Sequence, residues 1–391
     1  MKKITFLFLC ITTSFFCQTN TEIHVFDIVN KNGEYLLKNG KNISNNKGYD
    51  SQPFFYSDHE VIYASNKNGN TEIVLHNLNS GENYQKSNTE KGGEYSPQRI
   101  PNSKNISAVR LDNDGLQRFY TYNFKSSKNK EVVPDLKVAY PNWFDKNTLV
   151  ASVIVNDSLH LIISDLKKKT NITVAKMVGR SVHRVPNTDL MSFISKENKE
   201  YWLLKSINPK TKEIKTITSV GKTEDVTWLP NGTLLISNGN SIYKFNPETD
   251  KSPSLFFSFS DENINNISRI AINSNGTKLA LVTEISPEYL AKEQLAGYNN
   301  RDIDAFLKPF SKDVKVYRFP HKLSYEGIEK MRENYTSFFK NTLDLHCKIL
   351  KRIVHKDKII DHELVTANGK TFKAVAIYQI KNGKIISVTF L

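Results

Sequence analysis

The residues with the most chemical potential lie near the C-terminus, in Asp361-His362-Glu363. They sit in an alternating run, Lys358 to Thr366, that reads as a strand. Period-two alternation puts Asp361 and Glu363 on one face and His362 on the other. Two carboxylates spaced i, i+2 approach within about 7 Å, because a strand rises ~3.3 Å per residue. Burying that face would raise one carboxyl pKa and give an acid/base pair. The competing reading pairs the same carboxylates with Arg352 or Lys373 on neighbouring strands, as cross-strand ion pairs. Both readings stay open at this stage.

Other chemistry finds less support. His76, His160 and His183 are scattered, with no H-x-x-x-H spacing, so no metal site is expected. Cys10 and Cys17 fall in an N-terminal leader, and Cys347 alone can form neither an internal disulfide nor a cysteine metal site. Its setting, Leu345-His346-Cys347-Lys348-Ile349, reads as a strand carrying a packed thiol. There is no G-x-S-x-G and no triad spacing, and no cofactor is expected. Trp143 and Trp228 occupy the same slot as Arg99, just before a turn, and read as packing residues; an aromatic pair at a ring mouth would instead suit peptide or sugar.

The leader sets the expected compartment. Lys2 and Lys3 precede an apolar run, Ile4 to Thr12, and Ser14-Phe15-Phe16-Cys17 leads into Gln18. That is the layout of a secretory signal peptide over 1–17, too short to span a bilayer. Cleavage before Gln18 predicts a periplasmic or secreted protein. Lipid anchoring through Cys17 is disfavoured, because Phe16 stands where a small residue is needed. No later run is long and apolar enough for a transmembrane helix. Lys and Arg number 54 against 40 Asp and Glu, a formal charge of +14. The lysines are dispersed among asparagines and serines, which indicates a solvated surface rather than a nucleic-acid site.

From His24 to Thr283 short β-rich runs are broken by Asn, Gly, Pro, Asp and Ser, and one unit repeats. Pro101-Asn102-Ser103-Lys104-Asn105 precedes Ile106 to Val109, Pro230-Asn231-Gly232 precedes Thr233 to Ser237, and Asn273 to Lys278 precedes Leu279 to Val282. Weaker copies lie at Tyr56, Phe144 and Pro186. The spacing of about 40 to 45 residues is that of a four-stranded propeller blade. Six such turns predict an all-β, six-bladed propeller over 18–285. The last turn supplies only inner strands, whereas Glu22-Ile23-His24-Val25-Phe26-Asp27-Ile28 matches the outer-strand position held by Glu72 to Leu78. The N-terminal strands are therefore expected to complete the sixth blade and leave no open edge. The repeat resembles that of TolB-like propellers, most clearly in Ser65 to Leu78 and in Glu94-Tyr95-Ser96-Pro97 through Tyr120.

The pattern changes at Ser286-Pro287, an N-cap followed by a first-turn proline. Helices are expected from there to Tyr298, over Arg301 to Leu307 and over Tyr325 to Lys340. Strands are expected at Val314 to Tyr317, Asp344 to Val354, Lys358 to Thr366, Phe372 to Ile380 and Lys384 to Phe390. Tyr298 to Phe306, Asp313 to Tyr317, Gly327 to Arg332 and Ile377 to Ile385 are similar to the SnoaL-like, nuclear-transport-factor-two-like superfamily. The resemblance implies an α+β conical half-barrel over 286–391 with a deep pocket. It also implies isomerases, cyclases and hydrolases among relatives, beside binding domains without chemistry. The catalytic positions of those enzymes fall here on Gln294, Arg318 and Ala374 or Val375, or near Glu363, Val365 and Thr389; neither set keeps its residue types. Within the implied pocket, Tyr317, His321, Tyr335, His346 and Tyr378 are candidate lining residues beside Asp361 and Glu363.

Two functions compete. One is an exported binding protein, its propeller engaging a protein, peptide or glycan and its cone holding a small apolar molecule; cones of this kind also pair into homodimers. The other is an isomerase-, cyclase- or hydratase-type enzyme using Asp361 and Glu363.

Overall fold

The computed structural model describes residues 20–391 except 32–33, 47, 68, 91, 127, 261–263, 285 and 382. The leader at 1–17, with Cys10 and Cys17, lies outside the described residues. No helix among the described residues is long and apolar enough to cross a membrane.

Among the described residues, the first twenty-four strands form six four-stranded blades. In the first five, the chain runs from an inner strand outward by antiparallel hairpins, as Val138–Asp145, Thr148–Val155, Ser158–Asp165 and Thr170–Ala175 do in the third blade. The sixth blade is ordered Glu34–Asn42, Thr21–Lys31, Lys278–Glu284, Asn265–Ile272. Its register sets Ile23 opposite Val282 and Val25 opposite Ala280, all buried. Lys278 adds an ion pair to Asp27 at 2.7 Å across the same joint.

Local chemistry explains the repeated turns. In the third blade the Asp145 carboxylate accepts the N–H groups of Asn147 and Thr148, and in the sixth Asn273 Oδ1 accepts those of Thr277 and Lys278. These side chains mimic a backbone turn. Gly232, at φ +83°, supplies a left-handed position in the fifth. The slot before the turn joins neighbouring blades. Trp143 Nε1 donates to Ser107 Oγ and Trp228 Nε1 to Ser192 Oγ, both at 2.9 Å. Arg99 and Arg184 hold the same slot in the second and fourth blades and donate to the carbonyls of Tyr56 and Phe144. Trp143 and Trp228 are buried and pack between blades, and Trp228 also lines a cavity with Arg184, Asn187 and Asn273.

The C-terminal unit has three helices among the described residues: α1 (Pro287–Asn300), α2 (Ile303–Leu307) and α3 (Ile328–Asn341). Ser286 Oγ caps α1 by accepting the N–H of Tyr289, and Asp302 caps α2. Gly297 lets α2 cross close to α1: a Cβ there would lie 2.3 Å from the Phe306 nitrogen. The expected helix from Tyr325 begins later, because Lys322–Glu326 pairs as an edge strand with Phe310–Arg318 and Gly327 at φ +95° breaks the chain between the two. The six-stranded sheet runs Lys322–Glu326, Phe310–Arg318, Lys384–Phe390, Lys370–Lys381, Lys358–Ala367, His346–His355. Phe310–Arg318 lies parallel to Lys384–Phe390, and the other pairs are antiparallel. The helices cover one face of this curled sheet through Leu290, Phe306, Met331 and Phe339.

Candidate functional site

Between helices and sheet lies a cavity of about 610 Å3, within the usual ~300–1,000 Å3 of small-molecule sites. Its walls are largely aromatic. Tyr298 and Phe338 come from α1 and α3, and Phe306 of α2 packs tilted against Tyr335 of α3 with ring centroids 4.4 Å apart. Arg318, Ser324, Phe372 and Lys373 line it from exposed positions and mark the mouth.

Three buried polar groups meet in the cavity wall. Gln294 Nε2 donates to Tyr378 Oη at 3.0 Å, and that hydroxyl donates to Glu363 Oε1 at 3.3 Å. All three residues are buried and line the cavity. Burial, with repulsion from Asp361, pushes the Glu363 carboxyl from 4.5 up to about 7, against the opposing pull of the Tyr378 hydroxyl and the Arg352 charge. At neutral pH this group can therefore give or take a proton. Burial beside Glu363 also pushes the Cys347 thiol up to about 12, which keeps it protonated and unreactive.

The two expected carboxylates part company. Arg352, directly opposite Asp361 in the sheet, grips it with two bonds, Nε to Oδ1 at 2.7 Å and Nη2 to Oδ2 at 2.6 Å. Asp361 is fully buried in this pair and does not line the cavity, whereas Glu363 does. Ile349 and Ala374 face Glu363 across the sheet, and neither can make an ion pair. Alternation put both carboxylates on one face; the neighbouring strands gave one a cation and the other a cavity.

Of the other candidates, Tyr335 and Tyr378 line the cavity. Tyr317, His321 and His346 do not, and the pleat explains two of them. Val316 and Arg318 face inward, so Tyr317 between them turns outward, and inward Cys347 likewise leaves His346 exposed. His321 is exposed in the turn between two strands. Of the slots aligned by family resemblance, Gln294, Arg318, Glu363, Val365 and Ala374 line the cavity and Val375 and Thr389 do not, and their residue types differ from the enzymes'. Sequence reasoning saw Gln294 only as a lost tyrosine. Its burial on the inner face of α1 was the missed signal.

No group of His, Cys, Asp and Glu suited to a metal occurs among the described residues.

Comparison with known proteins defines the class. Residues 291–388 match the SnoaL-like domain family. The propeller superposes on a putative TolB from Agrobacterium tumefaciens with a TM-score of 0.54 and 10% identity, over 69% of this chain and 99% of that one. TolB from Acinetobacter baumannii is similar at 12% identity and a TM-score of 0.45, over 68% and 64% of the two chains. An NTF2-like protein of unknown function from Cytophaga hutchinsonii is similar at 19% identity and a TM-score of 0.25, over 28% and 91%. No curated protein matches the chain. The molecule is thus a propeller of the TolB fold followed by a SnoaL-like cone.

Proposed function

We propose that this is an exported binding protein whose cone holds a small, mostly apolar molecule by one polar end, while the propeller engages a protein, peptide or glycan. The observation that carries the reading is the cavity itself, aromatic along its walls and polar at Gln294, Tyr378 and Glu363. A hydroxyl or carbonyl on the ligand would complete that hydrogen-bond chain, and the aromatic walls would supply most of the affinity. Export rests on the sequence pattern of residues 1–17, and pairing of two cones rests on the family resemblance. With Asp361 held by Arg352, the paired-carboxylate mechanism loses one member. A second reading survives on one observation: a single buried carboxyl near 7 can serve as general acid or base for an isomerisation or hydration.

Native mass spectrometry of protein purified from its own source tests both. A small molecule retained by wild type and lost in Glu363→Gln and Tyr378→Phe supports ligand binding at these polar groups. Conversion of that molecule by wild type but not by Glu363→Gln would establish the enzymatic reading. Retention unchanged in both variants would refute the proposed polar anchor.

A further inference from the structure

The propeller contains a second cavity, of about 310 Å3, on its axis. Every blade contributes to it from its inner strand or that strand's flank: Gln52, Gln98, Tyr140, Arg180, Asp225 and Arg269 represent blades one to six in order. These residues are far apart in the sequence, and only closure of the ring assembles them.

Its charge is unbalanced. Arg180 Nε donates to Asp225 Oδ2 at 2.8 Å, and Arg269 Nη1 donates to the same oxygen at 3.0 Å. Both guanidiniums also donate to the Ser268 carbonyl, at 2.8 and 3.1 Å. Just behind, Glu224 takes a further contact from Arg180 at 3.4 Å and pairs with Lys196. Three cations thus share two carboxylates, leaving one positive charge. The side chains of Arg180 and Arg269 are only 27% and 16% exposed, so water screens that charge weakly. Asp225 is the one acidic residue lining the cavity among the described residues. His183 adds no charge at neutral pH, because burial pushes its pKa down to about 4.

We propose that this axial cavity binds a small oxyanion, a carboxylate or phosphate, on the guanidinium edges of Arg180 and Arg269. Asp225 and the Ser268 carbonyl use Nε and Nη2 of Arg180 and Nη1 of Arg269. Arg180 Nη1 and Arg269 Nε and Nη2 carry no hydrogen bond among the described residues, which is the donor geometry that suits a planar or tetrahedral oxyanion. Asp225 fixes both arginines in advance, so little side-chain entropy is lost on binding. The volume, at the low end for ligand sites, fits a freely diffusing small molecule.

Isothermal titration of the full chain with inorganic phosphate and with acetate tests this, using chloride at matched ionic strength as the control. Expected is saturable binding of at least one oxyanion that chloride does not reproduce. Arg180→Gln should weaken that binding at least tenfold. Arg180→Lys keeps the charge and the pairing to Asp225 but loses the free Nη1 donor, and should weaken it severalfold even where Arg180→Gln folds poorly. Binding of phosphate whose affinity exceeds that of acetate would assign the site to phosphates, and the reverse order to carboxylates. Absence of binding by both probes, equal binding of chloride, or affinity unchanged in Arg180→Lys would overturn the proposal.

Discussion

Glu363→Gln is expected to make the protein more stable, by an amount that depends on pH. The folded-state carboxyl sits at about 7 against an ordinary 4.5, a difference worth about 3 kcal/mol at ~1.36 kcal/mol per pH unit. That is an upper value, because water entering through the cavity mouth solvates the carboxylate. Below about pH 4.5 folded and unfolded chains both carry the proton, and the acid costs nothing. Between 4.5 and about 7 the unfolded chain ionises first, so wild-type stability falls as pH rises. Above about 7 both states are ionised and the full penalty stands. Glutamine is neutral, has nearly the same shape and can still accept from Tyr378. The variant's advantage over wild type should therefore grow from pH 5 to pH 8, toward about 2–3 kcal/mol. Glu94 and Asp50 are also pushed to about 7 by burial, but they are common to both proteins and cancel in the difference. Urea unfolding of both proteins at pH 5, 6, 7 and 8 measures the quantity. A stability difference that stays flat across this range would refute the raised carboxyl and, with it, the proton-transfer reading of the cavity.

Arg352→Met should cost about 3–5 kcal/mol by stranding the buried Asp361 carboxylate, and pairing it with Asp361→Leu should restore most of the loss in the same urea assay. Trp143→Phe removes the 2.9 Å bond to the buried Ser107 hydroxyl; a loss of about 1–3 kcal/mol is expected, with Trp228→Phe similar because it breaks the equivalent bond to Ser192. Gly297→Ala drives a methyl into the backbone of α2 and should cost about 1–3 kcal/mol or more, read as reduced hydrogen-exchange protection confined to α1 and α2.

Much of the architecture was legible because it is local and repeated. A turn built on Asn, Asp, Pro or Gly states its geometry within a few residues, and a fixed spacing states how many blades follow. Pro101-Asn102 and Pro230-Asn231-Gly232 carried that signal, as did Ser286-Pro287 for the first helix of the cone. The start of α3 was misjudged because Tyr325 fits a helical apolar stripe as well as a strand, and pairing with Phe310–Arg318 decided between them.

The site divides along the same physical line. The sequence by itself determined that Asp361 and Glu363 share a face, that Cys347 stands alone in the cone, and that Tyr335 and Tyr378 were candidates for a pocket. It could not determine which carboxylate would meet Arg352, because that depends on cross-strand register between segments joined by a turn of variable length. Nor could it show that Gln294, 84 residues before Tyr378, would complete a hydrogen-bond chain to Glu363. The pleat direction that turned Tyr317 and His346 outward was equally unavailable, since alternation fixes which residues share a face but not which face is buried. Only the tertiary structure decided these points, as only ring closure brought Arg180, Asp225 and Arg269 together: burial and charge balance are properties of packed neighbours, and a linear pattern names its neighbours only along the chain.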